Sequence, residues 1–70
     1  MFKFAIYRQI KVGKYENEPV AIVFAPNVIA AKQKFEQMGH LGNFLLLNKN
    51  TGSRMTIVLM EKGVTKNAKK

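Results

Sequence analysis

Lys3, Tyr7 and Lys11 stand four residues apart along the opening segment of the chain, with Gln9 between the last two. An aromatic ring bracketed by cations can stack a nucleotide base while the ammonium groups hold its phosphates. A second basic cluster, Lys49 and Arg54, is interleaved with Asn50, Thr51, Gly52 and Ser53. Side chains of this kind donate to phosphate oxygens, and an Asn amide also reads a base edge. Ordinary turn chemistry accounts for the same Asn, Thr, Gly and Ser residues. The sequence assigns Tyr7 no second aromatic on a neighbouring strand, and the dense aromatic signatures of RRM and cold-shock modules are missing.

Other chemistries find little to work with. There is no cysteine, and all four acids are glutamates, at positions 16, 18, 36 and 61. Those positions lack metal-ligand spacing around His40, the single histidine, so neither a metal nor a cofactor is expected. No nucleophile elbow, phosphate loop or dinucleotide fingerprint occurs, and Glu16 with Glu18 reads as a solvated charge pair. No enzyme and no small-molecule substrate is expected. Gly39, His40, Leu41 and Gly42 spell the G-x-x-G spacing of the KH backbone clamp, but lead from a helix into a strand and carry no basic residue between the glycines. Gly39 reads as a helix stop and Gly42 as loop flexibility.

Charge is the strongest clue to a partner. The 70 residues carry twelve Lys and Arg against four acids, a net +8, with 47% hydrophobic residues. That apolar content belongs to a folded protein, and a cluster of basic side chains gains affinity for a polyanion by releasing its condensed counterions. Residues 1–61 hold eight of the bases and all four acids, whereas the last nine residues hold four lysines and no acid. The expected organisation is one α+β domain over residues 1–61 and a basic tail, expected to be mobile, over residues 62–70. A domain this small buries only about 60% of its unfolded surface, so self-association would help it. Lys3, Arg8 and Lys11 interrupt any signal-peptide core and no apolar run is long enough to span a bilayer, which together with the lack of cysteine predicts a cytoplasmic protein without membrane contact.

The elements that must position these residues follow from periodicity. Phe2, Phe4, Ile6, Arg8, Ile10 and Val12 alternate with Lys3, Ala5, Tyr7, Gln9 and Lys11, the pattern of a half-buried strand. Residues 13–19 read as an exposed turn, and Val20–Ala25 as an apolar strand closed by Pro26. Asn27 is the expected N-cap of a helix running to about Met38, with Val28, Ala31, Phe35 and Met38 as its buried stripe. Residues 44–47 and 55–60 form a second hairpin with a basic tip. The predicted fold is α+β: a small antiparallel four-stranded sheet, ββαββ, with the helix on one face. Arg8, alone among apolar neighbours, is expected to pair with Glu61 or Glu36 or to protect a sheet edge.

Both faces of the second hairpin are apolar, and one helix covers only one of them. Leu45, Leu47, Val58 and Met60, with Ile29 off the helix stripe, are therefore candidates for a protein interface or a homodimer. The primary expectation is a non-catalytic nucleic-acid-binding protein of weak sequence specificity. Its phosphate contacts are Lys3, Lys11, Lys32, Lys34, Lys49, Arg54, Lys66, Lys69 and Lys70, with Tyr7 for stacking and Asn50 at the hairpin tip. The alternative is a protein-binding inhibitor or accessory factor that uses the uncovered apolar face. The order of elements over residues 2–62 resembles that of several small phage-encoded proteins that act on host machinery, anti-CRISPR proteins among them. That resemblance rests on element order and size, implies only the second kind of function, and assigns no residue.

Overall fold

The structure is a computed structural model that describes residues 1–60. Strand β1 (Phe2–Lys11) runs into β2 (Lys14–Tyr15), and β3 (Ala21–Ala25) leads into helix α1 (Val28–Glu36). Strands β4 (Gly42–Asn48) and β5 (Arg54–Leu59) complete, among the described residues, a five-stranded antiparallel sheet beside a single helix. The expected fold class holds, with five strands in place of four. The reason lies at one edge of the sheet. β3 pairs with Phe2–Ile6 of β1 while β2 pairs with Gln9 and Lys11, so two short strands share one side of β1.

The segment read as a turn over residues 13–19 is thus shorter than its composition suggests. The chain reverses at Val12 and Gly13, where Gly13 supplies a φ of 78°, and Lys14 returns opposite Lys11. The register slips between Gln9 and Lys11, and Ile10 and Val12 are exposed instead of continuing the apolar face of β1. The bulge breaks the alternation just where the helix no longer covers the sheet.

On its other side β1 pairs with β4, and β4 pairs with β5. Because β3 and β4 are both antiparallel to β1, they are parallel to each other, and α1 joins them across the face above β1. Asn27 caps this helix as expected: its side-chain oxygen accepts from the Ala30 amide at 2.8 Å. The helix ends at Glu36, capped by Gln37, and Gly39 turns the chain at φ 86°. Met38 therefore falls beyond the helix and is exposed, which removes it from the predicted stripe.

Ala31 and Phe35 lie on Phe4 and Ile6 of β1, Val23 and Ala25 of β3, Phe44 and Leu46 of β4, and Ile57 and Leu59 of β5. Burying a ring such as Phe4, Phe35 or Phe44 contributes about 2 kcal/mol, a large share of a small domain's margin. Arg8 sits at one border of this core. Its guanidinium lies 5.0 Å from the centre of the Phe44 ring, and Nη1 donates to the Leu41 carbonyl at 3.4 Å. The expected pairing with Glu36 does not form, since that carboxylate lies 3.7 Å from Lys32 Nζ, and Glu61 lies outside the described residues.

Candidate functional site

The face of the sheet turned away from α1 carries the odd-numbered residues of β1 and β4 and the even-numbered residues of β3 and β5. Lateral pairing arranges them in rows. Lys3 stands opposite Phe24, and Ala5 lies between Ile22 and Leu47, with Leu47 opposite Arg54. Tyr7 stands opposite Leu45, which in turn faces Thr56, and Asn43 faces Val58. The floor of this face is buried at Ala5 and Leu45, while Phe24 is 54% and Val58 62% exposed. Four of the sequence-predicted interface residues are thereby placed: Leu45 buried, Leu47 half-buried, and Val58 with Met60 exposed. Ile29, 64% exposed, is on α1 and is separated from them by the sheet.

Phe24 is the residue that sequence reading missed. Tyr7 is accompanied on its own face by a second ring, carried by the neighbouring strand and set beside Lys3. A strand rises about 3.3 Å per residue, so the two aromatic positions lie about 13 Å apart along the sheet, with Ala5 and Ile22 between them. The signal was hidden because every residue of the run from Val20 to Ala25 is apolar, and periodicity does not say which of them face outward.

The predicted basic residues divide between two sides of the molecule. Lys3 and Arg54 border the helix-free face at one end, next to the β4–β5 turn that holds Lys49, and all three are exposed. Lys11 is exposed at the opposite end of β1, opposite Lys14. Lys32 and Lys34 ride on α1, behind the sheet, and both are engaged: Lys32 with Glu36, and Lys34 through a 2.6 Å bond from Nζ to the Phe24 carbonyl. Asn50 is engaged as well, since its side-chain oxygen accepts from the Lys3 amide at 2.8 Å. Only its NH2 group is left to meet a ligand. Lys66, Lys69 and Lys70 lie outside the described residues.

The turn itself is built on Asn48, which is buried at the end of β4. Its Oδ1 accepts from the amides of Asn50 and Thr51 at 2.8 and 3.1 Å, and the Thr51 hydroxyl donates to that of Ser53 at 3.1 Å. These bonds fix the backbone that displays Lys49 and Arg54. On the helix side, an open cleft of about 520 Å³ lies between the start of α1 and this turn, floored by Phe2, Phe4, Val28 and Leu46. Around it stand Asn27, Asn48, Thr51, Ser53 and Arg54; the side-chain oxygens of Asn27 and Asn48 and the Thr51 hydroxyl are engaged in internal bonds.

Among the described residues no group of three or more His, Asp, Glu or Cys side chains is placed to hold a metal, and no helix is long and apolar enough to cross a membrane. His40 is instead stacked on Phe35, with ring centres 5.0 Å apart and planes 9° from parallel. The chain matches no protein-family model, no curated protein and no solved structure.

Proposed function

We propose that this is a non-catalytic nucleic-acid-binding protein whose helix-free sheet face receives a single strand. In this reading Tyr7 and Phe24 stack bases, and Lys3, Lys49 and Arg54 neutralise the phosphate backbone from the turn end of the face. The observation that carries it is the placement of two aromatic side chains on neighbouring strands of one open face, bordered by exposed cations. Base stacking tolerates any sequence because every base has a π-face, so sequence preference is weak. The tail lysines add to the affinity of the full chain.

Fluorescence anisotropy with single-stranded DNA, duplex DNA and RNA at two salt concentrations tests the proposal. Affinity falls as salt rises, by an amount set by the number of phosphates contacted. Tyr7→Ala with Phe24→Ala weakens single-strand binding far more than duplex binding, and Lys3→Glu with Arg54→Glu weakens both. Absence of binding at low salt defeats the reading. A chain ending at residue 61 separates the sheet face from the tail: retained binding places the site on the fold.

The exposure of Phe24 and Val58 around the half-buried Leu47 favours one second reading, an inhibitor or accessory factor that docks this apolar face on another protein. Such docking is insensitive to salt and to charge reversal at Lys3 and Arg54, and it is lost on Val58→Asp.

A further inference from the structure

The two outer edges of the sheet are treated differently by the sequence. An edge strand displays unpaired N–H and C=O groups that template pairing with another strand, and proteins blunt such edges with lysines, prolines, short strands and bulges. The β2/β3 edge has all of these. β2 is two residues long and contains Lys14, the register of β1 slips beside it, and Pro19 and Pro26 bracket β3. In β3 the pairing with Phe2, Phe4 and Ile6 directs Ile22 and Phe24 outward, and the outward Phe24 carbonyl is already taken by Lys34 Nζ.

Beyond Arg54 at its start, the β5 edge has none of them. From Met55 to Met60 there is no charge, no proline and no glycine, and the register with β4 is unbroken. Among the described residues nothing pairs with its outer side. The direction of its free groups follows from the turn. The Asn48 amide donates to the Ser53 carbonyl, so Met55, Ile57 and Leu59 bond to β4 and Arg54, Thr56 and Val58 point outward.

We infer that the open edge of β5 pairs with β5 of a second copy of this chain, antiparallel about a two-fold axis at Ile57. The edge is self-complementary in that register. Thr56 falls opposite Val58 of the other copy, and every outward N–H and C=O meets an outward partner. On the helix side, half-exposed Met55 meets the other copy's Leu59, and on the open side Met60 meets Arg54. The two Arg54 side chains stand at opposite ends of the paired strands, so like charges are not juxtaposed. The register centred on Thr56 would also pair the outward groups, but it sets Met60 opposite Gly52, whose φ of 86° takes it out of the strand. The dimer joins the two helix-free faces into one continuous surface, and it stands independently of what that surface binds.

Sedimentation velocity on the full chain over a concentration series, paired with residue-resolved amide exchange, tests this. The expected result is a concentration-dependent dimer in which the Thr56 and Val58 amides are protected alongside those of Ile57 and Leu59. Val58→Pro removes an outward N–H and leaves the β4 ladder intact, so it abolishes the dimer while circular dichroism shows the native fold. Thr56→Lys serves the same purpose without altering the backbone, by placing two cations close together across the two-fold axis. A monomer at all concentrations overturns the inference. So does a dimer that survives both substitutions, or protection of the Thr56 amide in a monomer, which would mean that the chain's own last residues cover the edge.

Discussion

The backbone amide of Lys3 donates to the side-chain oxygen of Asn50 at 2.8 Å, although 47 positions separate the two residues in the chain. The Lys49 amide completes the junction by donating to the Lys3 carbonyl at 2.8 Å. The β4–β5 turn is thus fastened to the start of β1, and the basic residues at positions 3, 49 and 54 are brought to one corner of the sheet by hydrogen bonds in spite of their mutual repulsion. Replacing Asn50 by Ala removes the acceptor and is expected to cost about 1 kcal/mol in urea-induced unfolding. Asn50→Asp keeps the acceptor and is expected to retain most of that stability while weakening any polyanion binding at the corner. A neutral effect of Asn50→Ala on stability would contradict the structural role given to this bond.

Asn48 controls the same turn from the inside. Its side-chain oxygen serves two backbone amides, and the residue is buried, so Asn48→Ala leaves two donors without their acceptor. The expected loss is about 2 kcal/mol, larger than for Asn50→Ala, with Asn48→Asp intermediate. Denaturant midpoints of the three variants give the ranking directly, and the reverse order would show that the tip is held mainly from β1.

The sheet and helix were legible in the sequence where a single period or a single residue type decides the matter. The alternation of Phe2, Phe4 and Ile6, the Asn27 cap and the Gly39 turn each reappear in the structure. What escaped was decided by register. In the all-apolar run from Val20 to Ala25, pairing with β1 sends Val23 and Ala25 to the core and Phe24 to the open face. Asn50 reads as a free polar group until β1 is placed beside it, and Lys34 reads as a free cation until the outward carbonyl of Phe24 is in reach. Ile29 could not be placed from the helix pattern alone, because only the packing of Ala31 and Phe35 on the sheet sets which side of α1 faces away.

Gly42 opens β4 at a φ of 124°, a conformation that L side chains rarely adopt, and an added methyl would sit 3.6 Å from Arg8 Nη1. That separation is ordinary contact, so the penalty of Gly42→Ala comes from the backbone. It is expected to cost about 2 kcal/mol and to lower the thermal midpoint, with the secondary-structure content unchanged. An unchanged midpoint would show that the backbone at position 42 relaxes freely. The sequence suggested only loop flexibility for this glycine; its conformation makes it a requirement of the strand's entry.

Arg8 offers the sharpest choice between two accounts of one residue. An ion pair is weakened by salt, whereas a guanidinium laid on an aromatic face at the border of a core owes much of its effect to packing of its flat, weakly hydrated group. The guanidinium is 5.0 Å from the Phe44 ring centre, and Phe44 is itself held edge-on by Phe35 at 4.8 Å between ring centres. Arg8→Ala therefore removes a cover from the ring, and the stack contributes about 0.5–1 kcal/mol to the loss. Arg8→Lys keeps the charge and loses the flat contact, so it is expected to fall closer to Ala than to wild type. Arg8→Met keeps apolar cover and is expected to be the mildest of the three. Unfolding free energies measured at low and high salt decide the question. A gap between wild type and Arg8→Met that stays constant with salt fits the ring contact, whereas a gap that closes at high salt would return Arg8 to an ion pair.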